Sequence, residues 1–466
     1  MADIPAASVE ESYDYSLTKV IFASSAGTLI EWYDFYIFGS SAAIISTVFY
    51  PDTLSGVAAL LATLATFATG FVVRPFGAAF FGRIGDIIGR KFTFVVTISL
   101  MGVSTFIIGL LPSYAAIGIL APIILVLLRL LQGLALGGEY GGAAIYVAEH
   151  APDERRGYFT SYIQTTATLG LLLSLIVLVG TEQIVGEENF QAWGWRIPFL
   201  LSGFLFGIAL YIRISLKETP LFQKMKDAGT TSSAPLREAF AGGAWKLMVL
   251  ALLGATAGQG VVWYTGQFYA LFFMQNVLMI NLIQSSIIVG VAVALATPLF
   301  LFFGHLSDRI GRKNIMMGGM ALAILSYFPL YRGMTAAACG APPAGGFAEG
   351  FVCTNANLPL MILLVFIQVV YVTMVYGPIA AFLVELFPGR VRYTSLSLPY
   401  HIGNGVFGGL VPLIGTALVA RTGNIYAGLF YPIAIATMTL IIGTILLRET
   451  NTTKIYEEIG VSSEAT

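Results

Sequence analysis

The sequence predicts an all-α polytopic membrane protein with twelve transmembrane helices divided six and six. Three observations carry this reading. Of the 466 residues, 57% are hydrophobic and 11% charged, against about 25% charged in soluble domains, and the mean hydropathy is +0.83. Twelve apolar segments are each long enough to cross a bilayer once, over residues 18–49, 54–80, 91–112, 116–147, 158–181, 195–215, 246–275, 283–303, 313–331, 358–384, 394–420 and 424–447. The longest polar stretch, 216–245, follows the sixth. Several segments exceed about 25 residues and must tilt or project beyond the lipid.

This divides the chain into an N-terminal tail (1–17), a first half (18–215), a central loop (216–245), a second half (246–447) and a C-terminal tail (448–466). Residues 1–16 are acidic and polar, and the first apolar run is too long for the core of a cleavable signal. Orientation follows from basic residues in the loops. With the N-terminus inside, 19 Lys and Arg residues fall on the inner side, and only Arg196, Arg332 and Arg421 on the outer. Both termini are therefore expected in the cytoplasm, in a cell (inner) membrane. The outer loop 332–357 holds both cysteines, Cys339 and Cys353. On an oxidising side they are candidates for a disulfide, or are two free small residues in a Gly/Ala/Pro-rich loop.

Enzymatic chemistry inside the membrane needs a Ser/His, His/Asp or metal constellation, which the isolated His150, His305 and His401 do not supply. No cofactor, metal or nucleic-acid partner is expected; the bilayer is the one partner that composition itself implies.

The first segment carries two acids, in Ile30-Glu31-Trp32-Tyr33-Asp34-Phe35-Tyr36. Asp34 lies roughly 20 Å into its run, near the middle of a hydrocarbon core about 30 Å thick. A charge there costs at least a few kcal/mol and should face protein or a wet cavity. The three-residue spacing puts Glu31 and Asp34 on roughly one helix face.

The halves repeat each other's loops. Gly82-Arg-Ile-Gly-Asp86-Ile-Ile-Gly-Arg90-Lys91 matches Gly304-His-Leu-Ser-Asp308-Arg-Ile-Gly-Arg312-Lys313. Glu149-His-Ala-Pro152 with Arg155, Arg156 and Gly157 matches Glu385-Leu-Phe-Pro388 with Arg390 and Arg392. The offset grows from 222 to 236 between the two pairs, as the long 332–357 loop requires. A channel would not need such repeated loops.

With six plus six spans, these G-x-x-x-D-x-x-G-R-K loops resemble the major facilitator superfamily. Within it, Ile-Glu-Trp-Tyr-Asp-Phe, Arg74-Pro75-Phe76-Gly77, Arg129-Leu-Leu-Gln132-Gly133, Gly137-Gly138-Glu139-Tyr140-Gly141-Gly142 and Trp193-Gly194-Trp195-Arg196-Ile197-Pro198-Phe199 resemble the metabolite:proton symporters, relatives of carriers for α-ketoglutarate, citrate, shikimate and proline/betaine. The resemblance implies two six-helix bundles around a central cavity, lined by the first, fourth, seventh and tenth spans, that rock between inward- and outward-open states.

The repeat separates scaffold from chemistry. Asp86, Arg90, Glu149 and Arg156 recur as Asp308, Arg312, Glu385 and Arg392, so these are expected to form a gate of charge-assisted bonds at helix ends. The intramembrane charges do not recur. Glu31 aligns with Val262, Asp34 with Thr265, Arg74 with Ala296, Arg129 with Val365 and Glu139 with Val375.

From depth along the helices, Asp34 is expected to pair with Arg129 and Glu139 with Arg74, unless Glu139 braces the Asp86 loop as part of the gate. Desolvation raises a carboxyl pKa and a nearby Arg lowers it, so separating Asp34 from Arg129 would let Asp34 carry a proton, with Glu31 in reserve. In related proton-coupled carriers the acid of the Trp-Tyr-Asp stretch works with the fourth-span Arg. Sodium coupling stays open.

Candidate substrate contacts are Arg74, Arg129, Gln132, Tyr140, Gln164, Gln259, Trp263, Tyr264, Gln267, Tyr371, Tyr376, His401 and Asn404. Gln259, Trp263 and Gln267 form one stripe at helical spacing. Two arginines suit a carboxylate, the expected substrate class. If Glu or Asp occupies them, a zwitterion such as betaine or proline follows, with an uncoupled facilitator and a non-transporting sensor as further alternatives. The tail 449–466 lacks heptads, which argues against an osmosensing coiled coil.

Overall fold

A computed structural model describes residues 21, 25–87, 90–215, 235–240, 244–339, 356–388 and 392–455. Described regular structure is helical throughout, with no strand. Helix α1 covers 25–48 with a break at Ser41. It is followed by α2 (Gly56–Ile84), α3 (Arg90–Leu110), α4 (Leu120–His150), α5 (Asp153–Val185) and α6 (Arg196–Ser215). The second half holds α7 (Trp245–Asn276), α8 (Leu282–Ile310), α9 (Arg312–Cys339), α10 (Leu358–Leu386), α11 (Arg392–Thr422) and α12 (Ala427–Leu446). Nine of these are each long and apolar enough to cross a membrane. The other three are α1, described only from residue 25, α3, whose apolar stretch Val95–Leu110 is shorter, and α6, which follows Glu187–Gly194 at a 60° bend.

Within each half α3 lies along α6, α2 along α4, α9 along α10 and α7 along α11. The halves meet where α5 runs along α8 and where α2 and α4 touch α11. Glycine sets the closest approaches. A Cβ on Gly137 of α4 would sit 2.2 Å from the Arg74 carbonyl oxygen of α2. Between halves, a Cβ on Gly157 would come within 2.7 Å of the Gly304 carbonyl, and one on Gly304 within 2.6 Å of Ser161. Small residues let helix backbones approach where lipid gives no hydrophobic drive to associate. Gly137→Leu is therefore expected to prise α2 from α4, with a cost of about 1–3 kcal/mol or more. It should lower the thermal unfolding midpoint of detergent-purified protein, whereas Gly180→Leu, where a Cβ meets nothing within 4 Å, should not.

The central 216–245 stretch, read as a polar loop, contains a short helix, Pro235–Phe240. The C-terminal tail is not free over 448–455: Thr450 is fully buried, Ile455 is 1% exposed, and Glu449 binds the backbone amides of Arg312 (2.7 Å) and Lys313 (3.1 Å) at the start of α9. The N-terminal tail lies outside the described residues. Cys339 is disulfide-bonded; the sequence's other cysteine, Cys353, lies outside the described residues.

Candidate substrate and proton site

The apolar core is interrupted midway by polar groups that α1, α2, α4, α7 and α11 bury. Glu31, Asp34, Arg74, Arg129 and Glu139 are all 2% exposed or less. The two guanidinium groups flank one ring: the Arg74 Cζ lies 4.4 Å and the Arg129 Cζ 4.2 Å from the centre of Phe35. Arg74 also stacks on Phe71 at 4.4 Å and Arg129 on Phe38 at 4.5 Å. Cation–π contacts of this kind contribute about 0.5–2 kcal/mol each and do not satisfy N–H donors.

The expected pairings are not formed. All three side-chain nitrogens of Arg74 lack a hydrogen-bond partner among the described residues, so it is not bonded to Glu139. Arg129 donates Nη1 to Gln132 Oε1, while its Nε and Nη2 have no partner there. Gln132 in turn donates to Thr105 Oγ1 at 2.7 Å. Asp34 makes no ion pair with Arg129, and its Oδ1 has no partner among the described residues. The reason is rotational. Depth along a helix does not fix which face a side chain leaves from, and here Phe35 and the Gln132 amide occupy the guanidinium's surroundings.

A stack of rings joins the two halves beside these groups. Trp32 and Tyr36 of α1 lie 5.0 Å apart at 17°, and Tyr36 lies 5.3 Å from Trp263 of α7 at 20°. A second bridge joins α4 to α11: Tyr140 stacks on Tyr400 at 3.6 Å, Gln164 donates to the Tyr140 hydroxyl at 2.6 Å, and Asn404 donates to the Tyr400 hydroxyl at 2.8 Å. Tyr376 shares a 2.8 Å hydrogen bond with Tyr400. Gln259, Gln267, the Trp263 indole N–H, the Tyr264 hydroxyl and both His401 nitrogens are buried without a hydrogen-bond partner among the described residues. An unsatisfied buried polar group costs about 1–3 kcal/mol, so this concentration makes the centre the candidate site.

Most of the sequence-selected contacts therefore gather at one centre. Tyr371 does not: its hydroxyl accepts from Ser326 of α9 at 3.1 Å, inside the second half. The Gln259–Trp263–Gln267 stripe is also altered, because α7 is wound as a π-helix over Leu252–Thr256 and Thr265–Tyr269, which breaks the 3.6-residue register. Helix α11 is likewise π-helical over His401–Gly408. Such turns recur at functional sites. Sequence reasoning missed Tyr36 and Tyr400. The signals were present: Tyr36 follows Trp32, and Tyr400 precedes Asn404, each by one helical turn.

At the face bearing the Lys- and Arg-rich loops, the halves are latched. Glu385 of α10 is fully buried as a side chain and accepts from Arg156 of α5 at 3.0 Å and from Arg312 at 3.0 and 3.3 Å. It also accepts from Thr450 at 2.8 Å, and Arg156 donates to the Thr453 carbonyl at 3.1 Å. Asp308 bonds Arg312 at 2.6 Å and accepts from the backbone amides of Gly157 (2.8 Å) and Tyr158 (2.9 Å). A carboxylate from one half thus caps the positive N-terminal end of a helix in the other. The pseudo-equivalent pair is looser: Arg392 Nη1 lies 3.9 Å from Glu149, and the Arg392 Nε bonds the Val384 and Phe387 carbonyls. Glu139 sits where α4 breaks, next to Gly138, whose carbonyl accepts from Tyr393 of α11 at 2.6 Å. The side chains of Asp86 and Arg90 lie outside the described residues.

Two helical halves joined by ion pairs, around a buried and incompletely bonded polar centre, make an architecture of the major facilitator type. The sugar (and other) transporter family profile matches residues 19–239 and 223–459, and the chain belongs to that family. It is 35% identical over 455 residues to a proline/betaine transporter of Salmonella typhimurium, covering 94% of this chain and 84% of that protein. It is 34% identical to a glycine betaine/proline/ectoine/pipecolic acid transporter of Dickeya dadantii, with coverage of 94% and 84%. A solved structure of the xylose transporter of E. coli, in a partially occluded inward-open conformation, superposes with a TM-score of 0.71 at 17% identity, covering 94% of this chain and 99% of that one. The chain is a multi-pass membrane protein and a secondary transporter, not an enzyme.

Proposed function

We propose that this carrier moves a small zwitterion of the betaine or proline type together with protons, by alternating access across a cell (inner) membrane, as a monomer with both termini cytoplasmic. One observation carries the substrate class: Arg74, buried with all three side-chain nitrogens unpartnered among the described residues, lies 5.6 Å from the Trp32 ring of the Trp32–Tyr36–Trp263 stack. Guanidinium binds a carboxylate bidentately, and aromatic faces bind an ammonium that cannot donate hydrogen bonds. A ligand carrying both groups uses both. The carboxylate class expected from the arginines alone leaves the ring stack without a role, and the named relatives point to the zwitterion.

The test is uptake of labelled glycine betaine, proline and α-ketoglutarate into proteoliposomes, with and without an imposed pH gradient. Gradient-dependent accumulation of betaine or proline is expected. Accumulation of α-ketoglutarate alone would overturn the substrate class, and equal uptake without the gradient would overturn the coupling. Trp263→Ala should raise the KM for betaine roughly 2- to 30-fold, the equivalent of about 0.5–2 kcal/mol of cation–π contact. A fall in kcat with KM unchanged would instead place Trp263 in the scaffold.

A further inference from the structure

At the face opposite the latch, a cavity of about 350 Å³ opens between the ends of α1, α5, α7 and α8. Such a volume suits a small organic molecule and is larger than a single dehydrated cation needs. The first half contributes Ser41, Glu182, Glu187 and Phe190, and the second Gln275 and Asn281; no Lys, Arg or His lines it. Glu182 is 8% exposed, and its Oε2 has no hydrogen-bond partner among the described residues. The Ser41 hydroxyl, on a residue 1% exposed, is in the same condition. Buried polar atoms are rarely left so.

The charged groups on its lining are carboxylates. Gln275 already donates one Nε2 hydrogen to Ser285 at 3.0 Å, which leaves its amide oxygen and one N–H. Glu182 and Glu187 bring negative charge, and Phe190, 1% exposed, brings an aromatic wall. An anion would be repelled, whereas a cation with apolar surface meets carboxylate, acceptor and aromatic groups together.

We propose that this cavity is a second ligand site, separate from the central one, for a small organic ammonium compound. Because both halves line it, an occupant held there favours the conformation in which those walls stand together.

Isothermal titration of the purified full-length chain with tetramethylammonium chloride, at ionic strength held constant with sodium chloride, tests this. The probe lacks the carboxylate that Arg74 and Arg129 would hold, and binding is read without transport. A wrong substrate assignment at the centre therefore leaves the result intact. Saturable binding is expected to persist in Trp263→Ala, which removes a ring of the central stack, and in that background to be weakened at least about tenfold by Glu182→Gln and less by the exposed Glu187→Gln. Should Glu182→Gln fail to fold, Glu187→Gln together with Gln275→Leu gives the same readout. Absence of saturable binding, equal affinity in the glutamate variants, or loss in Trp263→Ala alone would each overturn the proposal.

Discussion

Asp34→Asn is expected to bring accumulation down to equilibration: label should enter proteoliposomes but no longer concentrate under a pH gradient, while exchange of internal for external substrate continues. The side chain is 2% exposed, with Oδ1 unpartnered among the described residues, in the middle of α1. Loading a proton there changes the charge of a buried group, and each unit of pKa difference between two conformations is worth 1.36 kcal/mol. Asparagine keeps the shape and removes the titration. Exchange needs only the two conformations and the substrate, so it should survive. Glu31→Gln is the companion measurement. Accumulation retained in Asp34→Asn but lost in Glu31→Gln would move the proton to Glu31, and accumulation retained in both would remove it from α1.

Glu385→Gln is expected to shift the resting protein strongly toward the state open at the latched face. Glu385 is shared by Arg156 and Arg312, all three side chains being fully buried. Removing one partner of a buried ion pair costs about 3–5 kcal/mol, because the remaining charge stays uncompensated. Turning an equilibrium from 1:99 to 99:1 takes about 5.5 kcal/mol, so a latched population could be largely emptied. Cysteines placed at Tyr158 and His305, whose rings lie 6.0 Å apart across the halves, should be bridged readily by a short bifunctional thiol reagent in the wild-type background and poorly with Glu385→Gln. Undiminished cross-linking would mean that α5 and α8 hold this face closed by packing alone.

The latch shows how far the sequence carried. The repeated Asp, Glu and Arg were legible because both halves print them at matching positions, and Asp308, Arg312, Glu385 and Arg156 do meet. That Asp308 reaches the amides of Gly157 and Tyr158, and that residues 448–455 are laced into the same network, was not legible. Backbone donors and acceptors have no sequence signature, and a polar segment after the last span reads the same whether free or tied down.

The sequence by itself determined the class: composition, segment length and the repeated loops are one-dimensional properties, and the bilayer permits few folds that satisfy them. It also picked out the charges that break the repeat. Only the tertiary structure decided what those charges touch. Arg74 and Arg129 meet the faces of Phe35 rather than Asp34 and Glu139, and Tyr36 meets Trp263 across the two halves. The physical reason is that helical periodicity fixes which side chains share a face, whereas the rotation of each helix, the π-turns in α7 and α11 and the packing between bundles fix what that face meets.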